Sequence, residues 1–106
     1  MKCITVLYPS KDNEDFNFDF YKKRHAKLIE EILGTALART EIRRGLPGPD
    51  GKLPPHIATI TFWIRDWDAY EKAMAARAAE LIAEVPLFSK QQPTFQVDEL
   101  VYEFPG

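Results

Sequence analysis

One cysteine, two histidines and five glycines are all that 106 residues contain of these types, and each scarcity closes off a class of chemistry. A lone thiol, Cys3, cannot form an intrachain disulfide or a multi-thiolate metal site. It fits a reducing compartment, so the expected address is cytoplasmic. His25 and His56 lie far apart, and no His-x-x-x-His, Cys-x-x-Cys or paired His–carboxylate pattern occurs. Neither a metal nor another cofactor is expected. Charge of one sign is also missing: 14 basic residues against 16 acidic ones leave a net charge of −2, without the field that grips a phosphate backbone, so no nucleic-acid partner is expected. Apolar runs are short. Residues 1–8 alternate like a strand and meet the polar Ser10, Lys11, Asp12 and Asn13, unlike a signal peptide. No run approaches the roughly 18–20 residues of a membrane span.

What is present is 45% hydrophobic, 12% aromatic and 28% charged, the balance of one globular domain over residues 1–106. A domain of this size buries only roughly 60–70% of the surface its unfolded chain exposes, so every sheet face and helix stripe needs a cover.

The β-branched and aromatic run at residues 2–8 reads as a strand that stops at Pro9-Ser10. Asn17 or Asp19 then caps a helix whose Phe18, Tyr21, Leu28, Ile29 and Ile32 share one face with His25. Gly34 ends it. Residues 35–44 suit a second strand, and the Gly- and Pro-rich residues 45–55 a loop. Residues 57–65 alternate as a third strand, with Ala58, Ile60, Phe62 and Ile64 opposite Ile57, Thr59, Thr61 and Trp63. Asp66 or Asp68 caps a second helix with Trp67, Tyr70, Met74, Leu81 and Ile82 on its apolar side, ending at Pro86. Residues 94–104 give a fourth strand. Phe18-Asp19-Phe20-Tyr21-Lys22-Lys23 aligns with Trp67-Asp68-Ala69-Tyr70-Glu71-Lys72 at an offset of 49, which suggests two βαβ halves. The expected fold is α+β, ferredoxin-like βαββαβ: a four-stranded antiparallel sheet, strands one and three central, with two helices on one face.

Two helices leave the other sheet face open, yet the first strand is apolar on both sides, with Ile4, Val6 and Tyr8 against Cys3, Thr5 and Leu7. Residues of the fourth strand region read the same way. The expected cover is a second copy, a homodimer; the alternative is a monomer with a modestly apolar face.

Chemistry has few candidates. Gly48-Pro49-Asp50-Gly51-Lys52-Leu53 lacks the spacing and context of a phosphate loop and reads as a hairpin connection or as a rim over a pocket, residues 45–56 being open as a lid. Cys3 suits a core position, and neither Ser10 nor Ser89 sits in a Gly-x-Ser-x-Gly turn. Arg39, Arg43 and Arg44 form a basic stripe, read either as edge charges or as an anion site. His25, four residues after Tyr21 on the buried stripe, is either a core histidine or a catalytic one. A neutral imidazole there can move a proton near pH 7, with Tyr8, Tyr21 and Phe62 as an aromatic, ligand-binding wall.

Ile4-Thr5-Val6-Leu7-Tyr8-Pro9, then Phe16-Asn17-Phe18-Asp19-Phe20-Tyr21-Lys22-Lys23-Arg24-His25, then Arg43-Arg44-Gly45 and the Pro-rich loop resemble the EthD family, named for a gene cluster degrading ethyl tert-butyl ether. The most specific element is the aromatic-x-x-x-aromatic-Tyr-x-x-x-His run. Asn17 stands where the family usually has Asp, and Phe20-Tyr21 where it has Tyr-Tyr; Tyr21 and His25 match. The resemblance implies a dimeric α+β barrel, in which two ferredoxin-like subunits pack their sheets together. Similar barrels act as lactone isomerases, cofactor-free monooxygenases of aromatic substrates, polyketide cyclases and haem-handling proteins, so the fold selects no reaction. The resemblance implies a protein of catabolism that binds a small hydrophobic or aromatic compound. His25 is its candidate for proton transfer of isomerase, cyclase or dehydratase type. The alternative is a non-catalytic accessory or binding protein of a monooxygenase system.

Overall fold

A computed structural model describes residues 1–11 and 16–106; Asp12 and Asn13 of the polar stretch after the first strand lie outside the described residues. Four antiparallel strands, β1 (Lys2–Pro9), β2 (Leu37–Arg44), β3 (His56–Ile64) and β4 (Thr94–Glu99), form one sheet in the order β2-β3-β1-β4. The two strands richest in alternating apolar residues, β1 and β3, are therefore central. Two helical segments, α1 (residues 18–33) and α2 (Trp67–Glu84), cover one face of the sheet. This is the ferredoxin-like α+β arrangement expected from the element order.

Strand alternation decides what that covered face holds. Register pairs Ile4 with Phe62 and Val6 with Ile60, so Ile4, Val6 and Tyr8 join Ala58, Ile60, Phe62 and Ile64 in one buried core under the helices. The helix starts are set by side chains that accept orphan backbone N–H groups: Asn17 Oδ1 from Phe20 (2.9 Å) and Asp66 Oδ1 from Ala69 (3.1 Å). These caps stand 49 residues apart, the spacing of the internal repeat.

Two strand boundaries and parts of both helix stripes differ from the sequence reading. Gly34, at φ +53°, ends α1 and leads into a tight turn, Gly34–Ala36, so β2 begins at Leu37 and not at residue 35. β4 stops at Glu99 and not at residue 104. Glu99 pairs with Lys2, the first residue of β1, and one further bond runs from Leu100 N–H to the Met1 carbonyl. Val101, Tyr102 and Phe104 are consequently exposed, outside the sheet. Within α1, residues Tyr21–His25 are π-helical, with the Ala26 N–H bonded five residues back to the Tyr21 carbonyl. The extra residue in that turn rotates the buried stripe. Tyr21, His25, Ala26, Ile29 and Leu33 are buried, whereas Leu28 and Ile32 are half-buried. On α2 no residue is buried, and Ile82, expected on the apolar stripe, is exposed.

The opposite face of the sheet is mixed. Cys3 and Thr61 are buried there while Thr5, Leu7, Ile57 and Trp63 are half-buried. Polar links cross it: Thr5 Oγ1 to Asp98 (2.7 Å), Arg43 to Thr61 Oγ1 (3.0 Å) and Trp63 Nε1 to Glu41 (3.2 Å). The three arginines of β2 do not form one stripe. Arg39 and Arg43 flank Glu41 on this face, and Arg44 turns to the other, 4.2 Å above the Phe18 ring.

Candidate functional site

A cavity of about 210 Å³ lies between the two helices and the sheet. Its floor is Ile4, Val6 and Tyr8 from β1 and Phe62 from β3. Tyr21, His25, Ile29 and Leu33 of α1 form one wall, and Tyr70, Met74 and Leu81 of α2 the other. Ile82 and Phe95 also line it and are 68% and 67% exposed, which places the mouth between the end of α2 and β4. The structure thus brings together Tyr8, Tyr21, His25 and Phe62, the four residues singled out in the sequence. The loop of residues 45–55 contributes none of the lining.

Tyr21 and His25, four residues apart within the π-helical turn, lie side by side. Their rings meet at 5.0 Å, nearly edge to face, and the His25 ring lies 4.7 Å from Phe88. Phe88 is the hub of the aromatic cluster, also touching Tyr8, Phe16 and Tyr21, and is 1% exposed. Its carbonyl accepts the Asn17 N–H at 2.8 Å, which fastens the segment after α2 to the start of α1. That clasp carries Glu84 to His25: Nδ1 and Oε1 are 2.8 Å apart across 59 residues of sequence. Neither Phe88 nor Glu84 stood out in the sequence. The only local signal for Phe88 is an aromatic residue two positions after Pro86, where the helix stripe has ended.

Burial dominates the electrostatics. His25 is held below its ordinary pKa of 6.5 by desolvation, which the hydrogen bond and charge of Glu84 partly oppose. Burial likewise pushes the Tyr8 and Tyr21 hydroxyls upward, so both stay protonated at neutral pH. Ser10 Oγ is the one fully enclosed side-chain polar atom without a partner among the described residues. The hydroxyls of Tyr8 and Tyr21 and the Nε2 of His25 also have no hydrogen-bond partner among the described residues, but all three residues border the cavity. The lining therefore carries one imidazole and the phenols of Tyr8, Tyr21 and Tyr70 in an otherwise apolar chamber. Among the described residues no cluster of three or more His, Cys, Asp or Glu side chains could hold a metal ion, and no helix is long and apolar enough to cross a membrane.

No family model matches the chain, and no curated protein matches it in sequence. Solved structures do. An EthD-like protein from Ralstonia eutropha is similar with a TM-score of 0.88 and 26% identity, over 96% of this chain and 93% of that one. An ethyl tert-butyl ether degradation family protein from Bacillus halodurans has a TM-score of 0.71 and 19% identity, over 95% and 99%. SnoaB, a cofactor-independent oxygenase from Streptomyces nogalater, shares the fold with a TM-score of 0.60 and 9% identity, over 99% and 96%. The resemblance to the EthD family read from the residues is matched by the fold that the chain shares with these EthD-like structures.

Proposed function

We propose that the chain binds a small hydrophobic or aromatic compound in the helix–sheet cavity, in the catabolism of that compound, with His25 moving a proton on it. One observation carries this: Tyr8, Tyr21 and His25, each no more than 5% exposed, line an apolar cavity, and the two hydroxyls and His25 Nε2 have no hydrogen-bond partner among the described residues. Buried polar groups are otherwise hydrogen-bonded. An apolar cavity of about 150 Å³ accommodates benzene, so a ring with one or two oxygen substituents suits this one. A neutral imidazole can take a proton from the carbon beside such an oxygen while a tyrosine hydroxyl donates a hydrogen bond to that oxygen. The imidazolium then returns the proton to another carbon in an isomerisation, to the new oxygen in a cyclisation, or to a departing hydroxyl, released as water, in a dehydration. Ionic anchoring is absent from the lining apart from His25, which favours neutral ligands. That sparse equipment also supports the second reading, a binding or accessory protein of a monooxygenase system.

The two readings part on 2-tetralone in heavy water. A proton-transfer site speeds exchange of its α-hydrogens, and His25→Ala lowers the rate by about 100-fold or more, the usual worth of a general base. Binding without faster exchange supports the accessory role. Absence of both binding and exchange would remove the pocket reading. We further propose a homodimer, because Leu7, Ile57 and Trp63 on the face away from the helices are apolar and only half-buried.

A further inference from the structure

Glu84 sits in an unfavourable place for a carboxylate. It is the last residue of α2, where unpaired carbonyls make the helix end negative, and no basic residue stands in that last turn. Its side chain is only 17% exposed, and its partner is His25 Nδ1 at 2.8 Å. A carboxylate accepts and does not donate, so Nδ1 carries the hydrogen in that bond. The nitrogen that remains, Nε2, is then the unprotonated one, and it belongs to a ring bordering the cavity. In a histidine, the bond made by one ring nitrogen sets the state of the other.

We propose that Glu84 is a positioning residue that fixes His25 in the tautomer with Nδ1 protonated and Nε2 a bare acceptor at the cavity. The proposal rests on the cavity being the binding site, and it names what the site selects: a compound presenting a hydroxyl hydrogen, phenolic or enolic, to Nε2. Without Glu84 the imidazole is free to place its hydrogen on Nε2, and the same position becomes a donor. The other titratable groups bordering the cavity with His25 are Tyr8 of β1, Tyr21 of α1 and Tyr70 of α2, all neutral near pH 7. Among the described residues Glu84 is therefore the charge that acts on the ring.

The test is nitrogen NMR of the two imidazoles, with His56→Gln identifying the His25 signals. The wild-type chain at neutral pH is expected to show a protonated Nδ1 and an unprotonated Nε2 at His25. Glu84→Gln retains a carbonyl acceptor, so the tautomer persists while the His25 titration midpoint falls with the loss of negative charge. Glu84→Ala loses the tautomer preference. In parallel, 2-naphthol binds the wild type at least about ten-fold more tightly than 2-methoxynaphthalene, as one good hydrogen bond to a buried group provides, and Glu84→Ala narrows that ratio. A hydrogen on Nε2 in the wild type, an unchanged tautomer in Glu84→Ala, or an unchanged midpoint in Glu84→Gln overturns the role. If neither naphthalene binds, the pocket reading and the selectivity fall, while the tautomer measurement still decides for or against Glu84 as the group that sets the ring.

Discussion

His25 couples the site to pH. Its folded pKa lies below the unfolded value of 6.5, chiefly through burial, so on acidification the unfolded chain takes up a proton first. The sign follows: the stability tied to a neutral His25 is complete above about pH 6.5 and is lost as pH falls through that value toward the folded pKa. Denaturant melts between about pH 7 and 5 are expected to show falling stability in the wild type and a flatter profile in His25→Gln. An equal slope in both would assign the acid sensitivity elsewhere. At this scale the sequence was informative where periodicity reaches. Tyr8 and Phe62 follow from strand alternation, and Tyr21 and His25 from helical spacing. Glu84 and Phe88 were not legible, because their importance lies in contacts with residues of α1 and β1 that are remote in the chain.

Helices α1 and α2 begin at positions related by the repeat offset, and each start depends on one side-chain oxygen. Asn17 is the more consequential of the two caps, since the turn that it opens runs directly into the π-helical residues Tyr21–His25. Replacing it with Ala is expected to destabilise the chain by about 1 kcal/mol and to weaken binding at the cavity, while the backbone bond from residue 17 to Phe88 survives. Chemical denaturation together with a naphthol titration checks both effects. The π-turn itself escaped the sequence reading for a physical reason. A single extra residue per turn leaves composition and apolar content unchanged, and it alters only how deeply later residues are buried: Ala26 and Leu33 are buried, while Ile32 packs half-buried against the core.

For the whole molecule, the shared burden is the second face of the sheet. Thr5, Thr61 and the Glu41–Trp63 bond make that face partly polar, yet Leu7 at its centre, on an inner strand, is half-buried with only threonines, Thr59 and Thr94, beside it in register. Light scattering of the wild type is expected to give twice the chain mass, and Leu7→Asp to shift it to the monomer without loss of the helix-side core. A monomeric wild type would mean that the face is solvated as it stands.

Local chemistry in the chain determined the elements. Alternation made β1 and β3, Asn17 and Asp66 started the helices, and Gly34 closed the first. Only the tertiary structure decided the site. The clasp between Phe88 and Asn17 brings the end of α2 over the start of α1, and through it a glutamate 59 residues away reaches His25. Such contacts depend on how two packed elements meet in space, and no periodicity within either element encodes that meeting.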